Sequence, residues 1–160
     1  MTAAEFNHCV DKHADGVFRF VLKNLRDEEN ARDIVQEVFA RMWEKAGQID
    51  FAKSKSYLFT AAYHTMIDTI RRNGRFTSLE NYEHMAFEPK NYTGIRKTLE
   101  EALAKLPPAQ RAVVMLRDYE GYSYHEISEI TGLSESQVKV YIYRARTALK
   151  NYLVTVDNLL

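Results

Sequence analysis

Two helix-start signals of the same kind, eleven residues apart, constrain the fold of this chain more than any other feature. Ser123-Tyr-His-Glu126 and Ser134-Glu-Ser-Gln137 each place a serine three residues before an acid or an amide, which is the capping-box pattern. Gly132 falls between them and suits the end of a short first helix. Two capped helices joined by about three residues that include a glycine predict a helix-turn-helix.

Helical periodicity extends over nearly the whole chain, and no segment alternates in the manner of a strand. The expected stops are the Asn-Gly pair at 73–74, the Pro-Pro pair at 107–108 and a left-handed cap at Gly121. Between these signals the apolar residues recur at helical spacing. The predicted helices cover residues 27–46, 55–72, 95–106 and 108–120, followed by the two capped helices.

Residues 75–95 lose this periodicity and collect Asn, Glu, Pro, Gly and Thr, which is typical of a linker. We therefore expect an all-α protein of two small helical domains joined by a flexible linker, the C-terminal domain being a helix-turn-helix. The predicted boundaries are residues 1–75 for the first domain, 76–95 for the linker and 96–160 for the second domain.

The chain has no run of eighteen apolar residues, no secretion signal at its start and a single cysteine, Cys9. One cysteine cannot form an internal disulfide, which fits a reducing cytosol. These features predict a cytoplasmic protein without a membrane-spanning helix.

Charge is distributed unevenly along a chain whose formal net charge is zero. Residues 136–160 carry four basic side chains and one acidic side chain. A neutral total argues against a protein that binds nucleic acid through bulk electrostatics. Any contact with DNA is therefore expected to depend on a few local cations and on help from a partner.

The second capped helix concentrates these cations on one side. At about 100° per residue, one face is apolar and must be core, namely Val138, Ile142, Ala145 and Leu149. In a helix-turn-helix the second helix enters the major groove, and residues near its start meet base edges. The residues expected there are Ser136, Gln137, Lys139, Val140, Tyr143 and Arg144.

Arg or Lys pairs with guanine, Gln pairs with adenine, and an apolar side chain touches the thymine methyl group. Arg146 and Lys150 lie further along and suit phosphates. The alternative is a solvated basic face, since cations near a helix C-terminus also favour the macrodipole. The preceding capped helix and the glycine turn favour DNA contact.

The second half of the chain contains the segments LAKLPPAQRAVVML, EGYSYHEISEITGLS and VKVYIYRARTALK. Together they resemble the C-terminal DNA-binding region of bacterial sigma factors, in the small extracytoplasmic-function (ECF, group IV) form. DIVQEVFARMWEK and SYLFTAAYHTMIDTIRR resemble that family's polymerase-binding and promoter-melting helices. The resemblance covers about residues 6–153. It implies that residues 1–75 are sigma region 2 and that residues 96–160 are sigma region 4.

The resemblance implies a transcription initiation factor that binds core RNA polymerase and reads two promoter elements. The C-terminal helix-turn-helix would read the minus-thirty-five duplex, and the N-terminal domain would melt and capture the minus-ten element. Such proteins are often held inactive by an anti-sigma factor, frequently a membrane-anchored one. The implied partners are therefore core RNA polymerase, promoter DNA and an anti-sigma factor, with no small-molecule substrate.

Site residues in the first domain follow from the same motifs. Asp33, Gln36 and Glu37 of DIVQE would face the polymerase clamp helices, although acids and amides on a helix are often simply solvated. Single-stranded DNA favours aromatic surfaces beside positive charge. The residues expected at the minus-ten element are Tyr57, Tyr63, His64, Asp68, Arg71 and Arg72.

The chain departs from the family pattern at this point, because TAAYH stands where the family usually has RIARN. Thr60 and Tyr63 replace arginines, and His64 replaces an asparagine. The polymerase-binding prediction is unaffected, whereas the preferred minus-ten bases stay open. Tyr63 is equally a candidate for the core.

Two other functions fit parts of the sequence. A helix-turn-helix regulator with a helical sensor or dimerisation domain explains the second half of the chain but not the two N-terminal motifs. A zinc protein is suggested by His8, Cys9 and His13, but no second pair of ligands stands at suitable spacing. No glycine-rich phosphate loop and no nucleophile elbow occurs. We therefore predict no enzyme activity, no catalytic residue, no cofactor and no bound metal.

Overall fold

A computed structural model describes residues 1–77 and 94–159, with side chains described for residues 1–74 and 94–155. Over these residues the secondary structure is helical and contains no strand, which confirms the all-α prediction. The predicted linker lies outside the described residues except at its two ends. The α-helices are α1 (Ala3–Leu25), α2 (Glu28–Glu44), α3 (Ser54–Thr77), α4 (Ile95–Ala104), α5 (Pro108–Asp118), α6 (Tyr124–Thr131) and α7 (Glu135–Leu159).

The described residues form two compact units, one built on α1, α2, α3 up to Thr69 and residues 129–132, the other on the end of α3, α4, α5, the first part of α6 and α7. In the first unit α1 packs against α2. The Phe20 and Phe59 rings meet edge to face, with centroids 5.4 Å apart, and join α1 to α3. Apolar side chains from all three helices are fully buried, including Val17, Val21, Val38, Met42, Leu58 and Met66.

Capping residues set the positions at which α1 and α2 start. Thr2 and Glu5 form a reciprocal capping box at the start of α1. The Asp27 side chain accepts a hydrogen bond of 3.1 Å from the Asn30 backbone N–H at the start of α2. These caps fix where the two helices begin, and therefore which residues of α2 point away from α1.

The predicted stop of α3 at Asn73-Gly74 is wrong, because the helix continues through both residues to Thr77. Gly74 is not among the glycines with positive φ, so it has ordinary helical backbone. A glycine inside a helix costs only about 1 kcal/mol relative to alanine. An Asn-Gly pair therefore weakens a helix without having to end it.

In the second unit α4 and α5 both pack against α7. Pro108 is the first residue of α5, as expected of a proline after a Pro-Pro break. The helix ends at Asp118, two residues before the predicted end, and Gly121 follows in the left-handed conformation with φ +75°. Gly132 has φ +80° between α6 and α7, so both predicted glycine turns are confirmed.

Candidate functional site

The turn between α6 and α7 is held by the two capping boxes. The Ser123 and Glu126 side chains exchange hydrogen bonds with each other's backbone N–H, at 3.1 and 2.9 Å. Ser134 and Gln137 do the same, at 3.1 Å each. The Ser128 hydroxyl also donates to the Leu133 carbonyl at 2.6 Å and closes the turn. The start of α7 is therefore fixed relative to α6 by local bonds, which is what a groove-reading helix requires.

Burial divides α7 into two faces. Val138, Ile142 and Ala145 are at most 2% exposed, and Leu149 is half-buried, which confirms the predicted apolar stripe. The residues predicted to meet base edges are all exposed, namely Ser136, Gln137, Lys139, Val140, Tyr143 and Arg144. Tyr143 is 72% exposed and Val140 is 43% exposed. Large apolar side chains among cations on an outward face suit contacts with bases better than simple solvation.

Two of the described side chains predicted to contact DNA, Gln137 and Arg146, form hydrogen bonds within the protein. The Gln137 amide oxygen accepts the Ser134 backbone N–H, so a two-point contact between Gln137 and adenine would have to break the cap. Arg146 donates from Nε to Asp118 Oδ2 at 3.3 Å and from Nη2 to Asp118 Oδ1 at 2.5 Å. This two-point hydrogen bond raises the pKa of Arg146 above its ordinary value and ties α7 to the end of α5. Lys150 is exposed.

A second cluster on this surface surrounds the Tyr124 ring, at the first residue of α6. The Arg117 guanidinium carbon lies 4.7 Å from the ring centroid, and Lys139 Nζ lies 5.8 Å from it. Both distances are within the range of cation–π attraction. Arg117 also donates to the Tyr122 carbonyl at 2.9 Å. No periodic or capping pattern predicts this cluster, because its members come from three different helices.

The exposed face of α2 contains Asp33, Gln36 and Glu37, all three of which are exposed as expected. Glu37 accepts a hydrogen bond of 2.5 Å from Arg41, one turn later. Trp43, two helical turns after Gln36 and thus on the same face, is 52% exposed. Its ring packs against Phe6 of α1, with centroids 5.0 Å apart. The sequence prediction missed Trp43, whose spacing from the core residues would have identified it as surface.

The predicted minus-ten residues of α3 differ in burial. His64 and Asp68 are exposed and Tyr57 is half-buried. Tyr63 is only 5% exposed, and its ring edge meets the His64 ring at 5.2 Å between centroids. Tyr63 is therefore a core residue, the second of its two expected roles. Arg71 and Arg72 are exposed on the continuation of the same helix.

The residues considered for zinc have other surroundings. Cys9 is buried, and its Sγ lies 3.9 Å from Met1 Sδ. His8 is exposed and His13 is half-buried. Burial and the nearby Lys12, Lys55 and His8 lower the pKa of His13 below 6.5. Over residues 1–77 and 94–159, no group of three or more His, Cys, Asp and Glu side chains is placed to hold a metal ion.

None of the helices in the part of the chain that the structure describes is long and apolar enough to cross a membrane.

Comparison with known proteins matches both halves of the chain. The family described as Sigma-70 region 2 matches residues 9–76. The family described as Sigma-70, region 4 matches residues 96–149. The first match includes α2 and nearly all of α3, and the second includes α6 and α7 up to residue 149.

Curated relatives extend along most of the chain. The chain is 31% identical to the ECF RNA polymerase sigma factor SigE of Mycolicibacterium smegmatis, over 92% of this chain and 61% of that protein. It is 31% identical to SigL of Mycobacterium tuberculosis, over 92% of this chain and 88% of that protein. A solved structure of the sigma factor RpoE from Bartonella quintana, in complex with the anti-sigma factor NepR, shares the fold. Its TM-score is 0.74 at 22% identity, and the match covers 92% of this chain and 96% of that one.

Proposed function

We infer the function from one premise: this chain belongs to the extracytoplasmic-function sigma factors of bacterial RNA polymerase. It is accordingly a sigma factor that directs the polymerase to promoters. A helix-turn-helix regulator with a sensor domain would leave the region 2 match of the first half unexplained. We further propose that the chain is of the group IV type, acts in the cytoplasm and catalyses no reaction of its own.

We propose that α7 reads the minus-thirty-five element. The observation that supports this most strongly is the exposed face on which Tyr143 and Val140 stand among Lys139 and Arg144. Ser136, Lys139, Val140, Tyr143 and Arg144 would meet base edges, and Lys150 would meet a phosphate. Gln137 and Arg146 have a more limited part, because the helix cap holds the first and Asp118 holds the second.

We propose that α3 captures the minus-ten element. Extruding a base from the duplex costs a few kcal/mol, which a protein surface must offset. His64 provides an exposed ring supported from behind by Tyr63, and Tyr57 provides a second aromatic surface. Asp68 is exposed beside them, and Arg71 and Arg72 follow on the helix as cations for the DNA backbone.

We propose that α2 binds the core polymerase through Asp33, Gln36 and Glu37, and that Trp43 extends this contact. The support is their common exposure on one helix face. Exposed aromatic residues bordered by charge are typical of protein interfaces. In this account residues 1–75 form sigma region 2, residues 76–95 connect the domains, and residues 96–160 form sigma region 4.

We also propose an anti-sigma factor as a regulatory partner, by analogy with the complex of the Bartonella protein, whose fold is shared.

The test is reconstituted initiation with purified core polymerase. The chain is expected to co-purify with the core enzyme and to direct initiation from a defined set of promoters that the core enzyme alone does not use. A chain that binds promoter duplex tightly at physiological salt without polymerase, and does not bind the core enzyme, would contradict the proposal and favour a conventional regulator.

A further inference from the structure

The Tyr124 ring lies against two cations next to the proposed DNA-reading face of α7. The ring lies at the start of α6, 4.7 Å from the Arg117 guanidinium carbon and 5.8 Å from Lys139 Nζ. Arg117 belongs to α5 and Lys139 to α7, so one ring connects cations from both flanking helices. Neither cation has an ion pair with a carboxylate among the described residues.

Lysine is a flexible side chain, and fixing it in one orientation for a base contact costs rotamer entropy. A neighbouring group that restricts the side chain in the free protein removes part of that cost before binding. The face of an aromatic ring attracts an ammonium group in this way without supplying a competing negative charge. A carboxylate at the same place would instead neutralise the cation that is to meet DNA.

Asp118 and Arg146 illustrate that contrast on the same surface. There a carboxylate holds the cation by two hydrogen bonds, so the charge of Arg146 is largely matched within the protein. Lys139 instead lies over a neutral ring, which places no negative charge beside it. Lys139 is exposed and Tyr124 is half-buried, so the ring lies beneath the cation and leaves it accessible.

We propose that Tyr124 is a positioning residue for promoter recognition, whose ring holds Lys139 in the orientation that DNA requires. The inference rests on the proposed function of α7. It assigns Tyr124 no base contact of its own, and its effect on binding should therefore depend on Lys139.

The test measures the affinity of the reconstituted holoenzyme for promoter duplex in a double-mutant cycle. Tyr124→Leu is expected to weaken binding about two- to fivefold, the size of an exposed cation–π contact. Tyr124→Phe keeps the ring and loses only the hydroxyl, which interacts with Arg146, so it is expected to bind nearly as the wild type does and clearly better than Tyr124→Leu. In a Lys139→Ala background, Tyr124→Leu is expected to have a clearly smaller effect, since the group it positions is absent.

Thermal unfolding of each variant checks the fold, and Tyr124→Met is a second ring-free variant if the leucine variant does not fold. An undiminished effect of Tyr124→Leu in the Lys139→Ala background would overturn the proposal, as would a Tyr124→Phe variant as weak as Tyr124→Leu. If Lys139→Ala weakens binding and Tyr124→Leu does not, only the positioning role fails. If Lys139→Ala itself has no effect, the assignment of α7 as the promoter-reading helix fails with it.

Discussion

Helices α2 and α7 are both long and amphipathic, and each buries an apolar stripe in its own unit, yet their exposed faces carry opposite charge. Residues 28–44 include five acidic and two basic side chains, whereas residues 135–159 include four basic and two acidic ones. The neutral total of the chain therefore conceals one helix of net charge −3 and another of net charge +2. Net charge alone would have excluded DNA binding, and the distribution of charge restores it.

The two helices also differ in whether their basic side chains form ion pairs. In α2 both arginines bond to a glutamate one turn earlier, Arg32 to Glu28 at 2.7 Å and Arg41 to Glu37 at 2.5 Å. In α7, among the described residues, Arg144 and Lys150 have no ion pair. Internal pairing leaves α2 with a net acidic face, which suits the proposed polymerase contact. The lack of an ion pair at Arg144 and Lys150, among the described residues, suits the proposed DNA contact of α7.

The difference between the two exposed faces is tested most severely at α2, where the largest effect of a substitution is expected. Asp33→Ala should weaken binding of the core polymerase by about 2 kcal/mol or more, roughly 30-fold, because a charged partner is then left unpaired at the interface. Fluorescence titration of the core enzyme measures this. Asp15→Ala, at an exposed acid of α1, is the matched control and should bind as the wild type does. Equal losses in both variants would show a general charge effect and not a site on α2.

At α7 the reverse pattern is expected. Arg144→Ala should weaken promoter binding by the holoenzyme by about 1–3 kcal/mol and leave the affinity for the core enzyme unchanged, since the side chain would contact DNA alone. Arg96→Ala removes an exposed cation of α4 and is the control. Promoter binding and polymerase binding are measured on the same preparations. A parallel loss of both affinities in Arg144→Ala would contradict the separation of the two faces.

How well the sequence predicts each surface depends on how many residues separate the interacting groups along the chain. The capping boxes at Ser123 and Ser134 could be predicted because each bond spans three residues. The pair of Asp118 with Arg146 spans 28 residues, so no local pattern reveals it. The burial of Tyr63 is likewise a matter of tertiary packing. An aromatic residue between two helix faces fits either the core or the surface until the neighbouring helices are in place.

Two valines of α7, one buried and one exposed, are expected to differ in their effects on stability and on DNA binding. Val138 is fully buried and Val140 is 43% exposed. Val138→Ala should lower the free energy of unfolding by about 1–3 kcal/mol, because it leaves a cavity in the core. Val140→Ala should change that free energy by less than about 0.5 kcal/mol. Denaturant unfolding gives both values.

The same pair should behave oppositely in DNA binding. Val140→Ala should weaken promoter binding by about 1 kcal/mol through loss of apolar contact with a base. If Val140→Ala left promoter binding intact, Val140 would belong to the solvated surface and not to the reading face.

The smallest expected effect concerns the first unit alone. Burial and nearby positive charge lower the pKa of His13, so the unfolded chain binds a proton more readily than the folded one as the pH falls below 6.5. The contribution of His13 to stability is therefore full above pH 6.5 and decreases as the pH falls towards the folded-state pKa. Thermal unfolding across this range should show a weaker pH dependence for His13→Gln than for the wild type. Equal pH dependence in both proteins would contradict this role of His13.

The central claim is that α7 reads one promoter element while the first unit serves the polymerase and the other element. Selection of promoter sequences from a random library by the reconstituted holoenzyme tests this most directly. The wild type should enrich two separate sequence blocks, and Lys139→Ala with Arg144→Ala should lose preference in the upstream block while retaining the downstream one. Retention of the upstream block by the double variant, or simultaneous loss of both blocks with polymerase binding intact, would contradict the account.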